Sequence, residues 1–172
     1  MALSSLVAAA AHAGPVEFSA HDIKTVFFFT TSDNKTHIDY GLRLKAGCVP
    51  DGDEPLFPYW RDYDSTPPGV NTNALKFFEY PAYGVREQKL ERNGVGHELR
   101  VKLKALPRDI VISVKPGPGG TCTATPRTTV AKQAGVELLS AHIQVKSGWR
   151  VDYVEVKGRT GEGKAISERL EP

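Results

Sequence analysis

The stretch THIDYGLRLK, residues 36–45, decides the fold class because its hydrophobic side chains recur at every second position. Such a period of two is typical of a β-strand with one buried face and one solvated face. The residues before it, IKTVFFFTT (23–31), are mostly β-branched or aromatic, and SDNK (32–35) has the composition of a turn. Together the three segments predict a β-hairpin whose apolar side, including Tyr40, faces a core and whose polar side, including Asp39, faces water.

The same alternation recurs through the rest of the chain. HELRVKLKAL (97–106) places leucine, valine and alanine on one face and mostly basic residues on the other. Further strand-like segments, such as RDIVISVK (108–115) and VELLSAHIQVK (136–146), are bounded by short runs rich in turn-forming residues. About eight such segments, without a long helical pattern, predict an all-β fold: a single antiparallel β-barrel or β-sandwich spanning residues 22–172.

A long proline-rich segment, residues 47–73, interrupts this pattern and holds five of the twelve prolines. We predict a long ordered loop here, with one extended piece, PLFPYW (55–60), within it. Long loops inside compact domains are usually functional or held in place by other contacts. The stretch NALKFFEY (73–80), which follows, predicts a short helical turn.

The composition is that of a globular chain, with 40% hydrophobic and 24% charged residues. The net charge of +2 is too small to indicate a nucleic-acid partner. The apolar run at residues 3–11 is too short to cross a bilayer, so no transmembrane segment is predicted.

The first residues resemble the end of a secretory signal. Ala11-His12-Ala13 has the small-x-small pattern of a signal-peptidase site and follows the short apolar run. Residues 1–13 are therefore predicted to be the remnant of a signal peptide, although no basic residue precedes Lys24. The mature protein is then predicted to be periplasmic or secreted. The alternative to a signal remnant is that these residues form an alanine-rich N-terminal helix.

The two cysteines, Cys48 and Cys122, lie 74 positions apart among turn residues. In an exported protein they are predicted to form a disulfide. Closing a loop of that length would stabilise the fold by roughly 4 kcal/mol in the chain-entropy model. Two unrelated free thiols are the alternative. Neither cysteine has a second Cys or a His at ligand spacing, so no metal site is predicted.

Aromatic residues in and after the proline-rich segment form the predicted ligand site. Tyr59, Trp60 and Tyr83 could form the floor of a pocket, since such rings offer apolar faces and polar tips. The alternative is that they plug one end of a barrel. Arg86 and His142 complete the predicted ligand-binding set, and His142 shares a strand face with apolar residues.

The sequence carries no recognisable catalytic motif. It contains no His-Glu-x-x-His metal motif, no Gly-x-Ser-x-Gly nucleophile elbow and no phosphate-binding loop, and no cofactor is predicted. Carboxylates such as Asp62, Asp64 and Glu87 are scattered along the chain. Acid–base catalysis would need two of them to face each other across a cleft. No catalytic residue is assigned, and an enzyme is the less favoured class.

Three segments resemble a known family of uncharacterised proteins. They are SDNKTHIDYGL (32–42), EPLFPYW (54–60) and YPAYGV (80–85). Their order and spacing are similar to those of the domain of unknown function 4833, and the resemblance covers most of the chain after residue 22. The family's segment before Ala-Tyr-Gly usually carries Gln, where this chain has Phe77-Phe78-Glu79. The resemblance implies no known activity.

These observations favour a non-enzymatic exported β-module that binds a small or lipidic ligand, or a partner protein, through the aromatic residues. A hydrolase that uses carboxylate or His groups at the barrel rim is one alternative. An accessory structural subunit of an envelope assembly, joined through an exposed strand edge, is another.

Overall fold

The structure is a computed structural model that describes residues 23–31, 36–64, 66–94, 96–146 and 150–171. In these residues the chain forms twelve strands, one short α-helix and one 3-10 turn. The elements are β1 (Ile23–Thr30), β2 (Thr36–Lys45), β3 (Val49–Pro50), β4 (Leu56–Asp62), β5 (Asn71–Ala74), α1 (Tyr80–Tyr83), β6 (Val85–Asn93), β7 (Gly96–Leu103), β8 (Asp109–Pro116), the 3-10 turn Pro118–Gly120, β9 (Cys122–Val130), β10 (Gln133–Lys146), β11 (Arg150–Arg159) and β12 (Ala165–Leu170). The all-β prediction is confirmed, with more strands than the eight expected.

The strands form one curled mixed sheet, a half-barrel. Its order is β5-β4-β2-β1-β10-β9-β8-β7-β6, while β11 and β12 branch from β10, and β3 pairs with β2. All neighbouring pairs are antiparallel except β1 and β10, which run parallel with Phe28 opposite Ser140. The parallel pair arises because β10 is long. One edge of β10 pairs first with β9 and then with β1, while its other edge pairs with β11.

The concave side of the sheet is the core, and it follows the predicted alternation. Ile38, Tyr40 and Leu42 are fully buried, and Leu99 and Val101 are buried on β7. The largest fully buried side chains are Tyr40, Tyr83, Phe27, Phe29, Ile38, Leu42, Leu56, Leu99, Leu106, Ile110, Ile112 and Leu138. Burying these apolar side chains is the main force that holds the sheet in its curled shape.

The proline-rich segment contains more strand than predicted: the extended piece 55–60 forms most of β4, and β3 and β5 accompany it. β3, β4 and β5 all lie within or at the end of it, and β4 pairs with β2 over its whole length, with Tyr59 opposite Asp39. Pro58 is tolerated in β4 because β5 pairs with β4 only from Tyr59 to Asp62. The edge of β4 at Leu56 to Pro58 therefore needs no donor from the proline.

The short helix lies later in the chain than predicted. The helical turn is Tyr80–Tyr83, with Pro81 in its first turn, whereas Asn73 belongs to β5. After the helix, Gly84 begins the extended chain of β6. A Cβ atom at Gly84 would lie 2.6 Å from the Tyr80 carbonyl oxygen, so this tight exit requires glycine.

The two ends of the curled sheet meet where β4 faces β6. The Gln88 side chain on β6 accepts a hydrogen bond from the Leu56 N–H (3.0 Å) and donates one to the Leu56 carbonyl (2.8 Å). One amide side chain thus takes the place of a neighbouring strand's backbone. We call this junction the seam.

Some sequence predictions fall on residues outside the described ranges. These are the signal remnant at residues 1–13 and the turn at residues 32–35, which carries part of the family resemblance. No helix in the part of the chain that the structure describes is long and apolar enough to span a bilayer.

Candidate functional site

A cavity of about 600 Å³ lies at the seam. This volume is within the range of small-molecule binding sites in proteins. Its apolar lining comes from Leu56, Phe57 and Pro58 of β4, together with Tyr80 of α1 and Val85 of β6. We call it the seam cavity.

Arg43 is the most enclosed charged group of the seam cavity. It projects from β2, and its guanidinium lies 4.2 Å from the centroid of the Phe57 ring, in a cation–π contact. The residue is only partly exposed, whereas most other charged residues of the lining are exposed. No carboxylate of the described residues lies within ion-pair distance of it. Arg43 therefore offers N–H donors to the cavity without a fixed anionic partner.

The other charged residues of the lining are more exposed. Arg86 is 68% exposed and lies 3.9 Å from the Glu87 carboxylate. Lys102 binds Glu87 at 2.7 Å, and this hydrogen bond and charge lower the pKa of Glu87. The Glu87 carboxylate is therefore ionised near pH 7, and the positive charge of Lys102 balances its negative charge. Asp53 and Glu54 stand in the exposed segment before β4.

Of the five predicted ligand-binding residues, the structure places Arg86 in the lining of this cavity. Tyr59 and Trp60 are neighbours on β4, so their side chains point to opposite faces of the sheet. Tyr59 is buried on the convex face, 2% exposed, where its hydroxyl contacts polar groups of neighbouring strands. Trp60 lies on the concave side and packs against the core.

A polar cluster around Asp39 surrounds the Tyr59 hydroxyl. One oxygen of Asp39, Oδ2, accepts hydrogen bonds from Arg61 Nε (2.7 Å), Thr25 Oγ1 (3.1 Å) and the Tyr59 hydroxyl (3.5 Å). Arg61 also donates to the Tyr59 hydroxyl (2.6 Å) and to the Gly69 carbonyl (3.1 Å). We call these residues the Asp39 cluster.

The prediction that Asp39 faces water is wrong, because the residue is 2% exposed. It does lie on the polar face of β2, but side chains of β4 cover that face. Its second oxygen, Oδ1, has no hydrogen-bond partner among the described residues. A period of two identifies which face a side chain takes, but not what covers that face.

Trp60 and Tyr83 pack against each other in the core, outside the cavity lining. Their ring centroids lie 5.7 Å apart in an edge-to-face arrangement. Trp60 Nε1 donates to the buried carboxylate of Glu79 (3.0 Å), and the Tyr83 carbonyl accepts from the Tyr40 hydroxyl (2.7 Å). Burial raises the pKa of Tyr83 to about 12, with Glu79 adding to the effect and a hydrogen bond to Thr31 opposing it.

His142 lies away from the seam, at the junction of β1 and β10. Its Nδ1 lies 3.0 Å from Thr30 Oγ1, and its ring centroid is 6.2 Å from that of Tyr153. The disulfide joins Cys48 to Cys122, with 5.4 Å between their Cα atoms. It connects the turn after β2 to the start of β9, outside the cavity lining.

Outside the seam, the groups of the described residues that could serve catalysis are histidines and scattered carboxylates. No set of three or more His, Cys, Asp or Glu side chains there could hold a metal ion. His37 stacks on Phe28 at 4.4 Å and lies opposite Thr30, which on its other side lies opposite His142, so the two histidines stand two strands apart. Asp62 accepts a hydrogen bond from the Asp64 N–H in a local turn.

Sequence reasoning missed three residues that define the seam cavity. They are Arg43, Phe57 and Tyr80. Phe57 and Tyr80 stand in the same two motifs that drew attention to their aromatic neighbours, so a signal was present. Arg43 alternates with leucines on the polar face of β2, a pattern that is also typical of a solvated strand exterior.

Comparison with known proteins gives a family but no activity. No curated protein and no solved structure matches the chain significantly. The family model described as Domain of unknown function (DUF4833) matches residues 27–169, which include β4, α1 and β6 and therefore the whole seam. The chain therefore belongs to the DUF4833 family, as the three sequence motifs predicted.

Proposed function

We propose that this protein is a non-enzymatic binding module that holds a small amphipathic ligand in the seam cavity. The observation that carries the proposal is the combination, in one cavity of about 600 Å³, of an apolar wall and a partly enclosed arginine to which the described part of the chain offers no anionic partner. Sites for small ligands are mostly apolar, with a few polar groups that orient the ligand. The seam cavity has this composition.

The seam favours a compact ligand over an added β-strand. A strand that pairs with the edge of β4 would need the backbone groups of Leu56 and Pro58. The Gln88 side chain already occupies those of Leu56, and Pro58 has no N–H to offer. Side chains line the cavity between these positions, and they can contact a small molecule without breaking the existing hydrogen bonds.

A hydrolase has less support than a binding module. Among the lining carboxylates, Glu87 has a pKa that the hydrogen bond and the charge of Lys102 lower. It is therefore unprotonated near pH 7 and would be a poor general acid. Lys102 also occupies one of its oxygens at 2.7 Å. The remaining acids of the lining, Asp53 and Glu54, are exposed.

Export is part of the proposal. The small-x-small pattern at Ala11-His12-Ala13 supports it, as does the disulfide between Cys48 and Cys122, since disulfides persist in oxidising compartments. A ligand would then be taken up in the periplasm or outside the cell.

Native mass spectrometry tests the proposal. The protein would be purified from the organism that produces it, without detergent, and its mass compared with that of the denatured chain. We expect an added small-molecule mass in the wild type. Ala74→Trp should abolish that mass, because Ala74 lines the cavity and the indole would fill it. Ala134→Trp, the same substitution at an exposed position of β10, should retain it.

Two results would contradict the binding function. One is a wild-type protein that carries no added mass. The other is an added mass that Ala74→Trp leaves unchanged, which would place the ligand elsewhere on the molecule. The same spectra report the mature N-terminus, so a chain that starts at Met1 would contradict export through cleavage of this segment.

Attachment to a partner protein is a second candidate, supported by one feature. Phe77 is 86% exposed and Phe78 is 37% exposed, at a turn beside the seam. The buried Glu79 carboxylate holds this turn by accepting from the Lys76 N–H (2.7 Å). A braced turn that presents phenylalanines to solvent is typical of a contact surface. Phe77→Ser should remove a partner from the native complex if this candidate is correct, and should leave its mass unchanged if it is not.

A further inference from the structure

Arg43 indicates which class of ligand the seam cavity accepts. We propose that the ligand carries a carboxylate or phosphate head group that binds the Arg43 guanidinium, with its apolar part against Phe57 and Tyr80. This inference rests on the proposed binding function and names the ligand class for the same site. Carboxylate and phosphate share the geometry that a guanidinium binds with two parallel N–H donors.

The position of Arg43 prepares it for such a group. β2 lies inside the sheet, paired with both β1 and β4, so the backbone of Arg43 is fixed. The Phe57 ring centroid lies 4.2 Å from the guanidinium carbon, and no other side chain or carbonyl of the described residues accepts a hydrogen bond from the guanidinium. A stacked guanidinium loses less conformational freedom on binding than a free side chain does.

A partly buried positive charge that has no anion beside it in the described chain indicates where a ligand anion would bind. The ion pairs of the described residues near the cavity are exposed, and water screens them: Lys45 with Asp51, Arg86 with Glu87, and Lys102 with Glu87. Arg43 has lost part of its hydration without gaining an anion from the described chain. A ligand anion would restore the lost interaction, and the lower local dielectric strengthens it.

The acids of the lining do not cancel this preference. Glu87 is neutralised by Lys102 at 2.7 Å, and Asp53 and Glu54 are exposed to solvent. Arg86, 68% exposed on β6, places a second positive charge at the same cavity. The lining holds two arginines and three carboxylates, and among these five residues Arg43 alone is not exposed.

Comparing the affinities of four amphiphiles with the same alkyl chain distinguishes the contribution of the head-group charge from that of the apolar chain. They are dodecanoate, dodecyl phosphate, dodecanol and dodecyltrimethylammonium, each used below its micelle concentration with delipidated protein in isothermal titration calorimetry. We expect the two anions to bind about tenfold or more tightly than the alcohol, and the cation to bind weakest. Whichever anion binds tighter identifies the head group as carboxylate-like or phosphate-like.

Variants connect this preference to Arg43. Arg43→Gln should weaken anion binding by about tenfold or more and leave alcohol binding unchanged. The matched control, Lys45→Gln, removes a charge two positions along the same face of β2, outside the cavity lining, and should change anion affinity by less than about twofold. If Arg43→Gln does not fold, Arg43→Lys keeps the charge without the planar fork and should weaken anion binding by a smaller factor.

The outcomes distinguish this inference from the binding function itself. Equal affinity for anions and alcohol, or unchanged anion affinity in Arg43→Gln or its Lys substitute, would overturn the head-group assignment. The binding function would still stand if Ala74→Trp blocked the alcohol. If none of the four amphiphiles bound and the wild type carried no retained mass, both would be wrong.

Discussion

Asp39 connects β2 to side chains of β1 and β4 on the convex face of the sheet. Its carboxylate is 2% exposed and accepts hydrogen bonds from three side chains on β1 and β4. Burying a carboxylate is costly unless a cation and further hydrogen-bond donors compensate for the lost hydration. Arg61 supplies that cation at 2.7 Å, with its side chain 21% exposed. The Asp39 cluster therefore fixes β4 against β2, the strand that carries Arg43.

Removing the Asp39 carboxylate should destabilise the protein strongly. We expect Asp39→Ala to lower the free energy of unfolding by about 3 kcal/mol, because it leaves Arg61 as a partly buried charge without its partner. Urea denaturation followed by circular dichroism measures this. The double variant with Arg61→Ala should recover part of the loss, and Asp51→Asn, at a 56% exposed side chain, should change stability by less than about 0.5 kcal/mol. A loss no larger in Asp39→Ala than in Asp51→Asn would contradict the role of the cluster.

At the scale of elements, two side chains join strands that backbone hydrogen bonds leave apart. Gln88 connects β6 to β4 across the seam. Glu168 of β12 accepts from Arg108, which precedes β8, and from the N–H of Ala131 in the turn between β9 and β10. Ala131 and Lys132 both have positive φ, which strains residues other than glycine, and the bond from Glu168 supports this turn. Each side chain therefore maintains the curl of the sheet.

Gln88→Ala should loosen the seam. The substitution leaves the N–H and C=O of Leu56 without their partner, and we expect a loss of about 1–2 kcal/mol in the free energy of unfolding. Hydrogen–deuterium exchange at the Leu56 amide should become faster. Gln133→Ala, at an exposed position of β10, is the control and should change neither quantity. Unchanged exchange at Leu56 would mean that β4 and β6 do not depend on this amide.

The ion pair between Glu168 and Arg108 should give the protein a specific acid sensitivity. The Arg108 hydrogen bond lowers the pKa of Glu168 below its ordinary value of 4.5. A lowered carboxylate pKa contributes stability above pH 4.5, and that contribution is lost as pH falls through the folded-state value. Glu168→Gln should therefore be less stable than the wild type by about 2 kcal/mol at neutral pH, and the difference should shrink below pH 4.5.

Urea denaturation of wild type and Glu168→Gln between neutral and acidic pH measures this difference. The control is Glu162→Gln, in the exposed turn between β11 and β12, which should match the wild type at neutral pH. A difference that stays constant, or grows, as the solution is acidified would rule out the ion pair as its source.

At the scale of the whole molecule, the disulfide closes a long loop. Cys48 and Cys122 are 74 positions apart, and the loop between them contains β4, α1 and β6, the elements of the seam. In the chain-entropy model the crosslink acts mainly by restricting the unfolded chain. The seam is therefore built inside a covalently closed loop, although the cysteines do not line its cavity.

Replacing both cysteines should show how much this closure contributes. We expect Cys48→Ala with Cys122→Ala to lower the free energy of unfolding by about 4 kcal/mol, measured by urea denaturation. The wild type under reducing conditions should behave like the double variant. Ligand binding by the folded double variant should persist, since neither residue touches the cavity. A loss below about 1 kcal/mol would mean that the closed loop does not act through the unfolded chain.

The sequence by itself determined the strand faces and the covalent link. Alternation placed Ile38, Tyr40 and Leu42 in the core, because one residue's step along a strand always reverses the face. Cysteine content in a chain with a signal-like start predicted the pairing of Cys48 with Cys122. Both are local or compositional properties that need no knowledge of which strands become neighbours.

Only the tertiary structure decided which strands lie next to each other, and therefore where the site forms. The position of β4 beside β2 buried Asp39 on a face that alternation assigned to water, and it stacked Phe57 against Arg43. The curl of the sheet then brought Gln88 to Leu56 and opened a cavity between two distant strands. Such contacts depend on pairing order and register over the whole chain, and a period of two along one strand carries no information about either.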